Sequence, residues 1–208
     1  NDETFFDLLL EIESLDTSVR FRLSSVEPDL LSDEIIELVA KSKKFMPHFH
    51  LPLQSGSDTL LKRMNRKYNS ALFVSRVRKI KTHMPYACIA ADVIAGFPGE
   101  TDEEFLESYR IVERLPLSYL HVFPYSERPG TRAALMTDKT KQDIIRQRIN
   151  RLLKLSETKK RFFLEGNIGR IEEVLFESEN AGGFISGFTT NYIRVKTKYS
   201  KELENSVR

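Results

Sequence analysis

Cysteine is almost missing from this chain: among 208 residues there is one, Cys88. A lone thiol cannot close an internal disulfide, which fits a cytoplasmic protein. By itself it cannot hold an iron–sulfur cluster or a thiolate zinc site either. No apolar run approaches the ~20 residues of a membrane span, so no membrane partner is expected. An excess of one charge is also missing. Lys and Arg number 32 against 30 Asp and Glu, a net charge of +2, so only the distribution of charge can speak about nucleic acid. The opening Asn1-Asp2-Glu3-Thr4 is acidic and has no Met; it is not a signal peptide and is expected to lie inside a longer protein. Neither the dinucleotide nor the P-loop glycine spacing occurs, which excludes both phosphate cradles. Repeats and low-complexity segments are absent.

What is present is 40% hydrophobic and 30% charged, enough for one ordinary domain plus a small one. The stretch Asp92-Val93-Ile94-Ala95-Gly96-Phe97-Pro98-Gly99-Glu100-Thr101 organises the rest. It reads as a buried strand carrying one carboxylate, a rigid Gly/Pro turn, and a helix start with Thr101 and Glu104 spaced as a capping box. In α/β proteins ligands bind at such a junction, at the C-terminal end of a strand.

Similar units surround it. Strands are predicted at 19–26, 49–53, 89–95 and 119–123, and helices at 5–15, 30–44, 57–64, 70–84 and 101–115. Strands alternating with helices mean a parallel sheet with right-handed crossovers, an α/β fold of about half an eight-fold barrel. Ser126-Glu127-Arg128-Pro129-Gly130 reads as loop. A long helix follows over 141–163. Between Lys139 and Arg161 stand nine Lys or Arg against Asp143 and Glu157. Short strands at 173–176, 184–186 and 192–197, with turns at Ala181-Gly182-Gly183 and Thr189-Thr190-Asn191, suggest part of a small β-barrel of the oligonucleotide-binding kind. The expected domains are a barrel part over 1–135, a connecting basic helix over 136–167, and a partial β domain over 168–208.

Period two sorts each strand into a helix-facing and an interior set. Arg20, Arg22 and Ser24, then His48, His50, Pro52 and Gln54, then Asp92, then Tyr119, His121, Phe123 and Tyr125 fall inside. A core built for stability would hold Val, Ile and Leu there. Polar groups are costly to bury unless paired or used, so this set reads as a polar ligand pocket. One reading is a catalytic metal held by His48, His50, Asp92 and His121, as in barrel hydrolases. That reading leaves the basic helix and the β module unexplained. Another is a non-catalytic RNA-binding module. Asp92 can also simply pair with Arg20 or Arg22, and Cys88 reads as a small apolar filler.

Several motifs in order resemble a known family: Arg22-Leu23-Ser24-Ser25-Val26-Glu27-Pro28, His48-Phe49-His50-Leu51-Pro52-Leu53-Gln54-Ser55-Gly56-Ser57, Met64-Asn65-Arg66, Gly96-Phe97-Pro98-Gly99-Glu100-Thr101 and Phe123-Pro124-Tyr125-Ser126. Together they are similar to the radical S-adenosylmethionine (SAM) methylthiotransferases. Gly187-Phe188-Thr189-Thr190-Asn191-Tyr192-Ile193-Arg194-Val195 resembles that family's TRAM domain, a small RNA-binding β-barrel.

The resemblance implies a radical SAM (TIM-type) β/α barrel in its C-terminal half, and a tRNA-modifying transferase. Ser24 to Pro28 and Gln54-Ser55 look like the branch that adds a methylthio group to C2 of N6-threonylcarbamoyladenosine beside the anticodon. The alternatives are the isopentenyladenosine and ribosomal-protein branches. It further implies SAM and two 4Fe–4S clusters as cofactors, with tRNA and an electron donor as partners. The cluster cysteines are expected upstream, so this chain alone is expected to be inactive. Ser24, Glu27, His50, Gln54, Ser55, Asp92, Gly96, Phe97, Pro98 and Gly99 are the implied SAM contacts. Arg151, Lys154, Lys159, Tyr192 and Arg194 are the expected RNA contacts, through phosphates or base stacking.

Overall fold

Strand-forming runs alternate with amphipathic helices along the first two-thirds of the chain, and the computed structural model shows what they build. It describes residues 3–180 and 182–208; Asn1 and Asp2 of the acidic start and Ala181 of the expected turn lie outside the described residues. Four strands, β1 (Phe21–Leu23), β2 (Phe45–Gln54), β3 (Cys88–Ala95) and β4 (Tyr119–Pro124), form a sheet in that order among the described residues. Every pairing is parallel. Helix α1 (Phe5–Ser14) precedes β1, helices α2 (Asp33–Lys41), α3 (Asp58–Arg63), α4 (Ser70–His83) and α5 (Asp102–Arg114) occupy the connections, and α6 (Gln142–Glu165) follows β4. This is the α/β arrangement expected of consecutive β/α units.

The helices begin where their sequences supply a cap. Thr101 and Glu104 form the reciprocal capping box expected of them, and Thr4 and Asp7 make a second one at α1. Asn69 caps α4 and Ser32 caps α2. The core lies between the sheet and these helices. Phe49, Leu51 and Leu53 of β2 are fully buried with Ile89, Ala91 and Val93 of β3, against Ile35, Ile36 and Val39, Phe73, Val77 and Ile80, and Phe105 and Val112. Each such large side chain contributes about 1.5–3 kcal/mol on burial.

Two strands differ from expectation. β1 keeps only Phe21–Leu23 of the predicted 19–26, because Ser25 turns to a φ of +56° and the Val26 amide bonds the His50 carbonyl from outside the strand. β2 is longer than 49–53 and runs through Pro47 and Pro52. Its register shifts against β1 between Phe21 and Leu23, and against β3 between Pro52 and Gln54; the irregular ladder accommodates residues that have no N–H to give.

Helix α6 packs along the sheet: Ser156 Oγ accepts from the Leu120 amide at 2.8 Å and Leu152 is fully buried. Beyond it, β5 (Val174–Asn180), β6 (Phe184–Thr189) and β7 (Arg194–Lys198) form an antiparallel sheet in that order. A closed small barrel is not seen among the described residues. β7 starts two residues later than predicted, because Tyr192, at φ +67°, belongs to the preceding turn.

Candidate functional site

The interior face of the sheet carries the polar set that alternation places there. Pro52, Asp92 and His121 are register neighbours on β2, β3 and β4. His50 Nε2 lies 2.6 Å from Asp92 Oδ1 and its Nδ1 lies 3.3 Å from Ser25 Oγ. The His50 and His121 rings are 4.9 Å apart. One ligand atom from each of His50, Asp92 and His121 falls within 4.8 Å of the others, a spacing compatible with a metal ion. Asp92 pairs with neither arginine considered for it: Arg20 bonds Glu173 at 2.6 Å, and Arg22 lies 3.7 Å over the Tyr192 ring.

His48 does not join this group, which corrects the four-residue metal set. Its ring is buried edge-on against Tyr192 at 4.8 Å, and neither ring nitrogen has a partner among the described residues. Burial first, then the charges of Arg22, His50 and His121, hold its pKa down at about 4, so it is a neutral packing residue near neutral pH.

At the C-terminal ends of the strands lies a cavity of about 1470 Å³, roomier than the ~300–1,000 Å³ of a usual small-molecule site. Gln54, Asp92, Ile94, Phe97, Phe123 and Tyr125 line it from the sheet side. Lys62, Arg63 and Arg66 line it from α3 and the turn after it. Arg128, Arg132, Leu135 and Met136 line it from a strap between β4 and α6. Gln54 ends β2 at a φ of +62°, in the left-handed region that is costly for a residue with a side chain. Its amide has no protein partner among the described residues, although only 9% of the residue is exposed.

The Gly96–Thr101 turn forms the wall behind the cavity. Glu100 Oε2 accepts from the Gly96 amide at 2.7 Å and from Arg148 Nη1 at 2.7 Å. Burial pushes the Glu100 pKa up against the opposing pull of the Gly96 amide and Arg148. Arg63 donates to the Gly99 carbonyl at 3.0 Å and to Glu104 at 2.5 Å.

Several expected cofactor positions have protein contacts of their own. Gly96 has its glycine for packing: a Cβ there would stand 2.4 Å from Ile145 Cγ1. Pro98 is buried behind the turn. Ser55 is fully buried, its Oγ 3.0 Å from Ser108 Oγ on α5, where it cannot touch a ligand. Glu27 bonds Arg66 at 2.6 Å and Ser24 is exposed outside the cavity lining. Gly99 holds the turn through Arg63, while Gln54, Asp92 and Phe97 line the cavity and His50 reaches it through Asp92.

Two expected RNA contacts are also corrected. Lys159 is buried, donating to the Glu113 and Leu115 carbonyls at 3.1 and 2.8 Å; burial lowers its pKa to about 8. Tyr192 has Phe188 stacked on it at 4.6 Å and Arg22 over its ring, so it offers no face to a base. Arg151 is exposed over Phe105 and Tyr109, and Lys154 and Arg194 are exposed. The sequence reading missed Lys62, Arg128 and Arg132. Arg128, in the segment 126–130 taken only as loop, and Arg132 just beyond it were the available signal.

Comparison with known proteins gives the following. Residues 2–112 match the family described as the Radical SAM superfamily. The chain is 40% identical over 208 residues to the Bacillus subtilis (strain 168) protein named threonylcarbamoyladenosine tRNA methylthiotransferase MtaB, covering 97% of this chain and 46% of that protein. It is 38% identical over 185 residues to the Pelotomaculum thermopropionicum protein named tRNA-2-methylthio-N(6)-dimethylallyladenosine synthase, covering 88% of this chain and 41% of that one. The chain thus spans about half the length of the curated relatives it matches. Among solved structures it is similar to coproporphyrinogen III oxidase of Escherichia coli, described as a radical SAM enzyme, with a TM-score of 0.55 at 15% identity over 66% of this chain and 32% of the other. It is also similar to the Elp3 of Methanocaldococcus infernus, with a TM-score of 0.52 at 13% identity over 88% and 59%.

Proposed function

The chain belongs to the radical SAM superfamily, and we propose on that premise that it is the cofactor- and substrate-binding part of a tRNA methylthiotransferase acting on N6-threonylcarbamoyladenosine. The observation that carries this reading is the cavity at the strand ends, with an unpartnered Gln54 amide, a His50-oriented Asp92 and a cation-rich wall.

The residues present fit SAM and do not fit an iron–sulfur cluster. Gln54 and Asp92 together present an amide donor and a carboxylate acceptor, suited to ribose hydroxyls. Cys88, in contrast, is buried at the opposite end of β3 and burial pushes its thiol up to about 11, so no step is assigned to a cluster held here. Bound in the cavity, SAM would supply the radical chemistry that attacks an unreactive C–H bond. The chain's own residues bind and orient. His50, held between Ser25 and Asp92, fixes the Asp92 carboxylate in the cavity lining through Oδ1. Phe97 and Tyr125, packed edge to face at 5.2 Å, exclude water from one wall. Arg148, tied to Glu100 and Asp102, fixes the turn behind them.

The names of the relatives divide between a threonylcarbamoyl and a dimethylallyl substrate. The first group is anionic and polar, the second apolar. The relatives that are 40% and 36% identical over 97% and 98% of this chain carry the threonylcarbamoyl name, which supports the first. A barrel hydrolase is a second reading, favoured only by the His50–Asp92–His121 spacing; stoichiometric zinc in the purified chain would support it.

The test is to digest tRNA from cells lacking the gene and resolve its nucleosides by mass spectrometry. Loss of the methylthio form of threonylcarbamoyladenosine, with its parent accumulating, is expected. Loss of methylthio-isopentenyladenosine instead would overturn the substrate assignment, and no change in either would overturn the tRNA reading.

A further inference from the structure

Five cationic side chains line the cavity, but their surroundings divide them. Arg63 is neutralised by Glu104 and Arg66 by Glu27. Lys62, Arg128 and Arg132 are exposed and make no ion pair or side-chain hydrogen bond among the described residues. Their neighbours are tied down. On the strap, Lys139 bonds Glu127 at 2.6 Å, Thr131 Oγ1 bonds the Arg128 carbonyl at 2.8 Å, and the Asp138 carbonyl accepts from the Gly99 amide at 2.5 Å. A short 3-10 turn, Arg132–Leu135, capped by Thr131, holds Arg132 in place. The strap is thus a built segment carrying two unspent guanidinium groups. It also carries Leu135, 84% exposed on the cavity side, and Phe123 at the end of β4 is half exposed beside it.

Unpaired cations interleaved with exposed aromatic and apolar groups are the chemistry that grips single-stranded nucleic acid. We propose that Lys62, Arg128 and Arg132 bind the backbone phosphates of the nucleotides flanking the target base, so that the strap over the cavity is an RNA grip. The proposal rests on the tRNA reading above. Phosphates are preferred to a carboxylate on the base because these three groups are exposed at the rim. The reacting base must descend toward the cofactor held at Gln54 and Asp92, which are more enclosed. α6 meanwhile has lost Arg148 and Lys159 to internal contacts.

The test uses the intact protein and an anticodon stem-loop RNA, its affinity measured across a potassium chloride series. Each single-strand phosphate contact contributes about −0.7 to the slope of log affinity against log salt. K62Q/R128Q/R132Q is therefore expected to flatten the slope by about 2 and to weaken binding. The charge-preserving R128K/R132K is expected to keep the parent slope, which separates loss of charge from loss of fold. An unchanged slope in the Gln variant, with an unchanged circular dichroism spectrum, would overturn the proposal while leaving the tRNA reading intact. Failure of the parent protein to bind the stem-loop would overturn both. The series is repeated with unmodified adenosine at the target position. An equal change in slope supports phosphate contacts, and a change seen only with threonylcarbamoyladenosine assigns the cations to the base carboxylate and overturns the phosphate assignment.

Discussion

Replacing Gly96 by alanine tests how the turn at the C-terminal end of β3 is held. Gly96 has a φ of +82°, and its missing Cβ would stand 2.4 Å from Ile145 Cγ1 and 2.7 Å from Cδ1. Two costs follow. The left-handed backbone costs an L-residue about 1–2 kcal/mol. Forcing a methyl into the buried Ile145 side chain costs about 1–3 kcal/mol more through off-rotamer packing and backbone shifts. Gly96→Ala is therefore expected to destabilise by about 2–5 kcal/mol. Ile145, 6% exposed, is expected to cost about 2–5 kcal/mol when cut to Ala. The two changes share one volume, so they cannot add: with Ile145 truncated the new methyl fills the space left, and only the φ penalty remains. The double variant should be more stable than the sum of the singles by about 1–3 kcal/mol. Urea unfolding followed by far-ultraviolet circular dichroism measures all three. Additivity within about 0.5 kcal/mol would refute the claim that α6 dictates the glycine.

Other outcomes follow from the same contacts. Gln54→Ala and Asp92→Ala in the intact protein should each weaken SAM binding, read by calorimetry; unchanged affinity for both would remove them from the cofactor site. Arg148→Met leaves the Glu100 carboxylate buried without its cation and should cost about 3–5 kcal/mol, with Glu100→Gln in the same chain restoring part of it, both read by urea unfolding. Lys159 has a folded pKa of about 8, depressed from 10.5. The unfolded chain therefore binds more protons between those values, and stability should rise with pH from about 8 to about 10.5, by about 3 kcal/mol from this group. Lys159→Met should abolish that component, and identical pH profiles of the two proteins would contradict it.

The β/α alternation was legible because independent local signals agree along it. Thr101 and Glu104 announce a helix start by spacing alone, and the runs through Phe49 and Ile89 are apolar on the faces that the helices cover. Extension of β2 back to Phe45 was not legible, because Pro47 argues locally against a strand and only the shifted register against β1 makes room for it. At the site, period two placed His50, Asp92 and His121 on one face, where they meet. It could not show that Ser55 is claimed by Ser108 or the Gly96 space by Ile145, since those partners lie about fifty residues on and belong to other elements. Net basicity misled along α6 for the same reason: Arg148 and Lys159 look like their solvated neighbours in sequence, yet tertiary acceptors take both.

The two ends of the parallel strands carry opposite economies of polar groups. Toward the N-terminal end, Arg22 and His48 meet Tyr192 of the β6–β7 turn, which stacks on Phe188 of β6. Asn191 Nδ2 bonds the Tyr86 carbonyl at 3.0 Å and Asn167 at 2.8 Å, and Arg20 bonds Glu173. Side chains that looked free for RNA are consumed in this seam, so any nucleic-acid contact by that sheet falls to the exposed Arg194, Lys196 and Lys198 of β7. Toward the C-terminal end the balance reverses. Gln54 sits in a costly backbone conformation, and among the described residues its amide is unpartnered and Lys62, Arg128 and Arg132 stand without counter-charges. The backbone conformation of Gln54 reduces stability, whereas the three exposed cations are solvated and remain open to an anionic ligand. Function at the strand ends is therefore inferred from what the fold leaves unpaired there, while the same fold spends its aromatic and cationic side chains on packing at the other end.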